Sequence, residues 1–346
     1  MKFYSTMLTR RNILMAFAAT ALARVAAASA ASDHSFSIDI HHHYLPPGYV
    51  DRTPSRQLGA MAPLAGWTPG RSIEELDRAN LSAAMLSVVT NGSNGLWFGD
   101  NVAARDFARS CNDYGASLVS KYPKRFGLLA CLPLPDVDGS ILEIEYAFDQ
   151  LHADGIAVFT SYGSQWLGDP KFSPIMAELN RRGAVLYTHP SVANCCVNIQ
   201  PGIPPSLVEF QTDTTRTLAS LIQSGIPYRY PNIRIILSHA GGTMPFLIER
   251  FELWAKNSAV VRELPDGIRE ALSAFYYDTA QSANPVALGA LKAVVPPERV
   301  LFGSDFPFRS IAESAASLGA ADVYKQKDLK LINGENALRL FPRFRS

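Results

Sequence analysis

Residues 36–47 read FSIDIHHHYLPP, and the chain is organised around this stretch. The apolar alternation predicts a strand over Phe36–Ile40, which runs into three histidines and is then ended by two prolines. Side chains alternate faces in an extended chain, so His41 and His43 share one face and His42 takes the other. Two imidazoles on one face at the exit of a buried strand can bind one divalent ion. The stretch therefore predicts a metal site.

Strand-like segments recur along the rest of the chain, with helical spacing between them. After the first come Ala83–Val89, Arg125–Cys131, Gly155–Phe159, Ala184–Thr188, Arg234–Ser238, Phe275–Asp278 and Val300–Gly303. Most are short apolar runs, which is typical of parallel strands buried on both faces. Helices are predicted over 102–120, 140–153, 174–182, 207–224 and 245–255, with a closing helix near 328–340. Eight such units predict an α/β fold, a single (β/α)8 TIM-type barrel. The alternative, an open doubly wound sheet, would have a glycine-rich phosphate-binding turn after the first strand, where this chain has histidines.

The first 30 residues differ in composition from everything after them. Arg10 and Arg11 precede an apolar, alanine-rich run from Met15 to Ala28, and residues 28–30 fit a small-x-small cleavage site. The paired arginines resemble a twin-arginine signal, so we expect residues 1–30 to direct export to the periplasm through the twin-arginine machinery. An uncleaved anchor or a basic tail is the alternative. The domain prediction is then a signal over 1–30 and one barrel domain over 31–346.

Charge and cysteine content narrow the classes of partner. The segment over 1–30 holds four basic residues and no acidic one, so the formal net charge of +1 becomes −3 without it. This balance gives no indication of nucleic-acid binding. The four cysteines form no CxxC pair, and the adjacent Cys195 and Cys196 are poorly placed for an ordinary disulfide with one another. We expect buried or free thiols, although an oxidising compartment leaves a bridge possible.

Polar side chains stand at the carboxyl ends of four predicted strands. In a barrel of this type the chemistry is carried at those ends. Strand one ends at His41 and His43, strand five at His189, strand six at His239 and strand eight at Asp305. Four of the seven histidines thus meet at one barrel mouth together with a carboxylate. A hydrogen-bonded rim residue is the alternative for any one of them, but the whole set favours a metal centre.

The chain resembles the amidohydrolase superfamily, and within it the metal-dependent decarboxylases of the 6-methylsalicylate and 2-amino-3-carboxymuconate-6-semialdehyde types. The resemblance covers nearly the whole chain after residue 30. The segments that carry it are Asp39–His43, Leu132–Pro135, Gly202–Pro205, Asp213–Arg216, Ser238–Gly242 and Gly303–Pro307. It implies a small-molecule carboxylic acid substrate and a homodimer.

The resemblance also implies roles for the residues at the barrel mouth. His41, His43, His189 and Asp305 would be the metal ligands, and His239 with Asp305 would be the catalytic acid/base pair. Members with a second metal use a lysine at the end of strand four, where this chain has Phe-Thr-Ser, so one divalent ion is expected. Ligand softness favours Zn2+, and the mixed nitrogen and oxygen set also suits Mn2+.

Substrate contacts are harder to predict from sequence. In the resembled group an arginine spaced like Arg250 reaches the neighbouring subunit's site and binds a substrate carboxylate; an exposed helix arginine paired with a nearby acid is the alternative. Tyr44, Trp67 and Phe306, with Trp166, are aromatic candidates for the wall of a pocket for a flat substrate. Arg216 is expected to pair with Asp213 in the interior.

The function expected from these features is non-oxidative decarboxylation of a hydroxybenzoate-like or conjugated carboxylic acid. The same site could instead activate water, which leaves a metal-dependent hydrolase of a lactone or amide, or a hydratase, as the alternative. A non-catalytic metal-binding or substrate-binding protein is the third hypothesis for the function. Relatives of the decarboxylase type are mostly intracellular, whereas this chain carries an expected export signal. Either the substrate arrives from outside the cell, or the activity differs from that of the relatives.

Overall fold

The computed structural model describes residues 36–52, 61–89, 95–96, 99–197, 199, 201–258, 264 and 267–345. The predicted signal over residues 1–30 lies outside this part of the chain. Residues 36–346 form one compact unit. Among the helices described, none is long and apolar enough to cross a membrane.

Eight parallel strands form the main sheet, in the order in which they occur along the chain. They are β1 (Ile38–His43), β2 (Ala83–Ser87), β3 (Phe126–Cys131), β4 (Gly155–Phe159), β7 (Val185–His189), β8 (Arg234–Leu237), β9 (Tyr276–Asp278) and β10 (Val300–Leu301). A separate two-stranded hairpin, β5 (Ser161–Tyr162) with β6 (Gln165–Trp166), follows β4. The amide of Ile40 donates to the carbonyl of Phe302 at 3.0 Å, which joins the last strand to the first. The predicted (β/α)8 barrel is confirmed.

Helices surround the barrel on its outer face. They are α1 (Pro69–Arg78), α2 (Asn101–Lys121), α3 (Val137–Asp149), α4 (Ser173–Arg182), α5 (Pro205–Gln223), α6 (Ile226–Arg229), α7 (Ile248–Asn257), α8 (Gly267–Ser273), α9 (Pro285–Lys292), α10 (Ile311–Ala320), α11 (Gln326–Lys330) and α12 (Asn336–Leu340). Side chains cap several amino ends, as Asp136 does by accepting from the amide of Gly139 at 3.2 Å. Helix α4 ends at Gly183, whose φ of 59° is the left-handed conformation that glycine adopts readily.

The apolar core lies in two layers. One layer fills the barrel and continues to the C-terminal segment, where Leu340, Phe341 and Phe344 pack with Ile38 and Ile40. The other layer lies between the barrel and its helices. The C-terminal residues thus cover the barrel at the end where β1 begins, and the histidines at the opposite end of β1 face the other mouth.

Candidate metal centre and substrate cavity

Four side chains, from two strands and one loop, converge at the carboxyl end of the barrel. The Nε2 atoms of His41 and His43 lie 3.2 Å apart, and Oδ1 of Asp305 lies 3.2 Å from the first and 3.1 Å from the second. The ring of His189 is 5.2 Å from that of His41 and 4.8 Å from that of His43. Zn–N distances of about 2.0–2.1 Å place neighbouring ligands of a tetrahedral ion about 3.3 Å apart. The spacing of these donor atoms therefore fits one small divalent cation.

Hydrogen bonds on the far side of each ring set which nitrogen faces the centre. Nδ1 of His43 lies 3.3 Å from the carbonyl of Ser87, and Nδ1 of His189 lies 2.9 Å from the carbonyl of Pro190. Because a carbonyl can only accept, both Nδ1 atoms carry the proton, and both Nε2 atoms present a lone pair to the centre. A metal-ligating histidine needs this tautomer.

Asp278 orients the imidazole of His41, a contact that the sequence did not predict. Its Oδ2 accepts from Nδ1 of His41 at 2.9 Å, and its Oδ1 accepts from the backbone amide of His239 at 2.8 Å. Gly303 lies beside this pair, where an added Cβ would come within 2.8 Å of the Cβ of His41. The signal available in the sequence was the position of Asp278 at the end of the seventh predicted strand.

The charges at the centre favour a cation. Burial lowers the pKa of His41, but the carboxylates of Asp278 and Asp305 outweigh it and raise that pKa to about 10. Burial holds the pKa of His189 well below its usual range, and the neighbouring imidazoles of His43 and His41 act in the same direction. Burial opposes ionisation of Asp305, yet His41 and His43 bring the pKa of this carboxyl well below its ordinary value. The two buried carboxylates thus favour positive charge at His41 between them.

His239 lies at the edge of this cluster and is held as a neutral base. Its Nδ1 donates to the carbonyl of Ala280 at 2.9 Å, which leaves Nε2 with a lone pair, and its ring is 4.9 Å from that of His41. Burial lowers its pKa, and the nearby His41 adds to this effect. Gln281 donates through Nε2 to Oδ2 of Asp305. The φ values of His239, Gln281 and Asp305 are 53°, 48° and 69°, a left-handed conformation that costs about 1–3 kcal/mol each and is typical of active sites.

His42 faces away from the centre, as the alternation of a strand predicts. Its Nδ1 lies 3.2 Å from Oδ2 of Asp39 and its Nε2 lies 2.9 Å from Oγ of Ser72 in α1. Its ring stacks on that of Phe306 at 4.8 Å. This histidine joins the barrel to a surrounding helix.

A cavity of about 280 Å³ opens onto the cluster. His189, His239 and Asp305 line its base, with Gln281 beside them. The remaining walls are mostly apolar and come from several loops and α5: Met61, Val89, Val192, Pro204, Pro205, Ser206, Phe210, Gln211 and Phe308. Among these described lining residues there is no lysine or arginine. Within the described lining, a carboxylate that enters the cavity therefore meets no side-chain cation.

Three aromatic residues predicted to bind substrate lie in packing positions and outside that lining. The hydroxyl of Tyr44 donates to the carbonyl of Cys111 at 2.9 Å, and the indole Nε1 of Trp67 donates to Oγ of Ser72 at 3.0 Å. Phe306 stacks on His42 in the core. Their side chains are buried and are not among the described residues that line the cavity, so their contact with substrate stays a prediction. Phe308, two residues after Phe306, lines the cavity instead.

The predicted pair of Asp213 with Arg216 is wrong. Asp213 accepts from the hydroxyls of Thr160 and Ser161, at 2.5 and 2.7 Å, and from Nε1 of Trp166 at 2.8 Å. Arg216 points away toward Cys196, and Nη1 of its guanidinium lies 4.0 Å from Oε2 of Glu209, seven residues earlier in the same helix. The carboxylate is thus satisfied by neutral donors because the helix turns Arg216 outward.

Arg250 lies on the exposed side of α7 and is not among the described residues that line the cavity. Within this chain it therefore does not complete the site. Asp266, a nearby acid that could pair with Arg250, lies outside the described residues.

Fold and site together define an α/β barrel with a cluster of three histidines and one aspartate at its carboxyl mouth, arranged so that it could hold a metal ion. The sequence profile described as Amidohydrolase matches residues 38–343, and the chain belongs to that family.

Named relatives and a solved structure resemble the chain over most of its length. A 6-methylsalicylic acid decarboxylase of Aspergillus aculeatus is 37% identical over 333 residues, which cover 89% of this chain and 96% of that protein. A 6-methylsalicylic acid decarboxylase of Penicillium expansum is 37% identical over 321 residues, covering 89% of this chain and 97% of the relative. The crystal structure of a dihydroxybenzoic acid decarboxylase from Polaromonas sp. JS666, with bound manganese and 2-nitroresorcinol, superposes with a TM-score of 0.75 at 21% identity. It covers 90% of this chain and 98% of that one.

Proposed function

We propose that this protein is a metal-dependent carboxy-lyase that removes CO2 from a hydroxybenzoate-like acid without an oxidant. The observation that carries the proposal is the cavity, whose base is the metal centre and whose described walls hold no lysine or arginine. A flat acid with one carboxylate and an apolar ring suits such a cavity. The 37% identity to two 6-methylsalicylic acid decarboxylases, over nearly the full length of each, supports the same substrate class.

His41, His43, His189 and Asp305 would hold one divalent ion, since their donor atoms converge and their second hydrogen bonds are committed elsewhere. Held by these residues, a divalent ion would supply Lewis-acid chemistry that stabilises the negative charge developing on the substrate as CO2 leaves. We propose Zn2+ because three imidazoles are soft enough ligands, and Mn2+ is the competing ion. Metal analysis of the protein as purified from its native host distinguishes them.

His239 is a candidate for the proton transfer that decarboxylation needs. Decarboxylation replaces the C–C bond to CO2 with a C–H bond, so one proton must reach the ring carbon. With Nδ1 committed to the carbonyl of Ala280, Nε2 of His239 is free to accept a proton from the substrate hydroxyl or acid and return it. Asp305 also faces the cavity and is the second candidate for this transfer. The apolar walls exclude water, which strengthens both interactions.

A substrate panel tests the proposal. The metal-loaded protein is incubated with salicylate, 6-methylsalicylate and a set of lactones and amides, while CO2, phenols and ring-opened products are measured. Release of CO2 with formation of the matching phenol is expected. Turnover of lactones or amides with no CO2 from any hydroxybenzoate would favour the hydrolase or hydratase instead. A chelator-treated sample serves as the control.

Export and assembly are part of the proposal. The twin-arginine pattern of residues 1–30 supports a periplasmic protein, and replacing Arg10 and Arg11 by lysine should retain it in the cytoplasm on fractionation.

A homodimer is supported by exposed apolar side chains around α7: Phe246 is 85% exposed and Leu253 is 59% exposed, close to Arg250 in sequence. Light scattering of wild type and Phe246→Glu tests it, since the substitution should yield monomers.

A further inference from the structure

Two adjacent cysteines lie in a short turn close to the substrate cavity. Cys195 is exposed and Cys196 is buried, both are free thiols, and their Sγ atoms lie 2.6 Å apart. The turn, Asn194–Cys196, is anchored by the amide of Asn194, which donates to the carbonyl of Gly163 at 2.8 Å. The two sulfurs are therefore already close to each other, and that of Cys195 is open to solvent.

A bond between adjacent cysteines is reversible by its nature. Neighbouring Cα atoms across a trans peptide are about 3.8 Å apart, whereas ordinary disulfides span about 4.4–6.8 Å. The bond is therefore strained and easily reduced, which is the property of labile and regulatory disulfides rather than of structural ones. A disulfide between Cys195 and Cys196 would therefore be a reversible bridge and not a structural one.

A guanidinium stands beside the buried sulfur. Nη1 of Arg216 lies 3.4 Å from Sγ of Cys196 and 4.0 Å from Oε2 of Glu209. Burial raises the pKa of the Cys196 thiol, and the charge of Arg216 opposes that rise. The exposed Cys195 is the thiol that an external reagent reaches first. Arg216 then favours the thiolate of Cys196 at the moment when that sulfur must attack.

The turn is joined to the wall of the substrate cavity. Cys196 lines a small surface cavity together with Pro204 and Pro205, and these two prolines also line the substrate cavity. Val192, four residues before Cys196, lies on the substrate side as well. A change at the cysteines is therefore transmitted to the wall against which the substrate would pack.

We propose that Cys195 and Cys196 are a reversible modification site for small-molecule disulfides, and that its oxidation weakens substrate binding. Sγ of Cys195 attacks the disulfide R–S–S–R, forms a mixed disulfide and releases one thiol, RSH. Sγ of Cys196 then attacks the sulfur of Cys195 and releases the second RSH. The protein loses two hydrogen atoms and gains one S–S bond, while the reagent is reduced to two thiols.

Intact mass after incubation with oxidised glutathione tests the site, and it does not depend on activity. Wild type should lose two hydrogen atoms in the peptide that holds both cysteines, and dithiothreitol should restore them. Cys196→Ser should instead accumulate a glutathione adduct on Cys195. Cys111→Ser, which removes a buried thiol outside the turn, should behave as wild type does. A persistent adduct on wild type, or no reaction at either cysteine, would overturn the proposal.

The effect on the cavity rests on the proposed function and has its own measurement. Oxidised protein should show a KM for its hydroxybenzoate substrate raised by about fivefold or more, the lower end of ordinary coupling between two sites. Dithiothreitol should reverse the change, and Cys195→Ser should not respond to oxidised glutathione. An unchanged KM in fully oxidised protein would overturn the coupling. Absence of any decarboxylation would instead count against the proposed function.

Discussion

The imidazole of His41 lies between two carboxylates, with Nδ1 bonded to Asp278 and Nε2 next to Asp305. Asp278 is not among the described residues that line the cavity, so its influence passes through His41 and through the backbone of His239. An outer partner of this kind fixes the tautomer of the ligand and raises its basicity. The sequence placed Asp278 at the end of a strand but gave no reason to pair it with His41, because that contact depends on how the barrel closes.

Asp278→Asn should therefore weaken metal binding. The amide keeps a similar shape but loses the charge that supports His41, and loss of such a partner costs about 10- to 100-fold in metal affinity. Metal content after dialysis against graded chelator measures the effect. Asp149→Asn, which removes an exposed carboxylate paired with Arg182, is the matched control and should leave metal affinity unchanged. Equal affinity in both variants would contradict the role given to Asp278.

Deuterium incorporation separates the two candidates for proton transfer. In D2O, wild type should place one deuterium on the ring carbon that carried the carboxylate. If Asp305 delivers it, Asp305→Asn with metal still bound should release little product and block ring deuteration. Undiminished deuteration in this metal-loaded variant would assign the transfer to His239, and His239→Asn should then lose it.

The low pKa of His239 sets an expected pH profile. Burial lowers that pKa below the ordinary histidine value, so Nε2 stays unprotonated at neutral pH and gains a proton only as the pH falls below that range. We expect kcat/KM to be level near neutral pH and to fall on the acid side below about pH 6.5, the unperturbed value. His239→Asn should remove that acid limb. An acid limb centred above pH 6.5 in wild type would contradict the assignment.

At the scale of elements, Asp213 fastens α5 to the end of β4. The carboxylate on the helix accepts from Thr160 and Ser161, which directly follow the strand. Phe210 and Gln211, on the preceding turn of the same helix, line the cavity. The position of that cavity wall therefore depends on a buried carboxylate that is held by neutral donors.

Asp213→Ala should destabilise the fold and weaken substrate binding together. Three donors lose a buried acceptor, and each unsatisfied group costs about 1–3 kcal/mol. Urea unfolding should show a loss within that range or above it, and KM should rise more than kcat falls. Glu209→Gln, a half-buried carboxylate of the same helix, is the control. A stable variant with unchanged KM would contradict this account of α5.

The strands were predicted well because buried apolar runs between turns are local signals. The observed strands overlap all eight predicted segments, although β1 extends through His43 and β10 ends at Leu301. The predicted closing helix near 328–340 is present, and it contains a π-helical segment over Leu331–Glu335 between Gln326–Lys330 and Asn336–Leu340. The hairpin after β4 was not predicted, because its strands hold two residues each and have no period to detect.

The directions in which side chains point could not be predicted from local sequence patterns. The convergence of the histidines with Asp305 followed from the rule that strand ends meet at one mouth. Whether Tyr44 or Phe308 faces the cavity depends on the paths of loops, and no period in the sequence encodes those paths. The pairing of Asp213 was mispredicted for the same reason, since spacing along a helix does not show which strand the helix covers.

At the scale of the whole molecule, closure of the barrel builds the centre. Asp39 in β1 accepts from the amide and the hydroxyl of Ser304, at 2.9 and 2.6 Å, and the amide of Asp305 donates to the carbonyl of His41 at 2.9 Å. These bonds join the first and last strands, which are far apart along the chain, and bring Asp305 to the two histidines. Folding and assembly of the ligand set are therefore one process.

We predict that one metal ion at this centre is required for decarboxylation. Metal-free protein is titrated with Zn2+ or Mn2+, and bound metal and CO2 release from 6-methylsalicylate are measured on the same samples. We predict that CO2 release rises in proportion to occupancy and saturates at one ion per chain, and that His189→Ala abolishes both. Full CO2 release from metal-free protein, or metal bound at one equivalent with no CO2, would contradict the account.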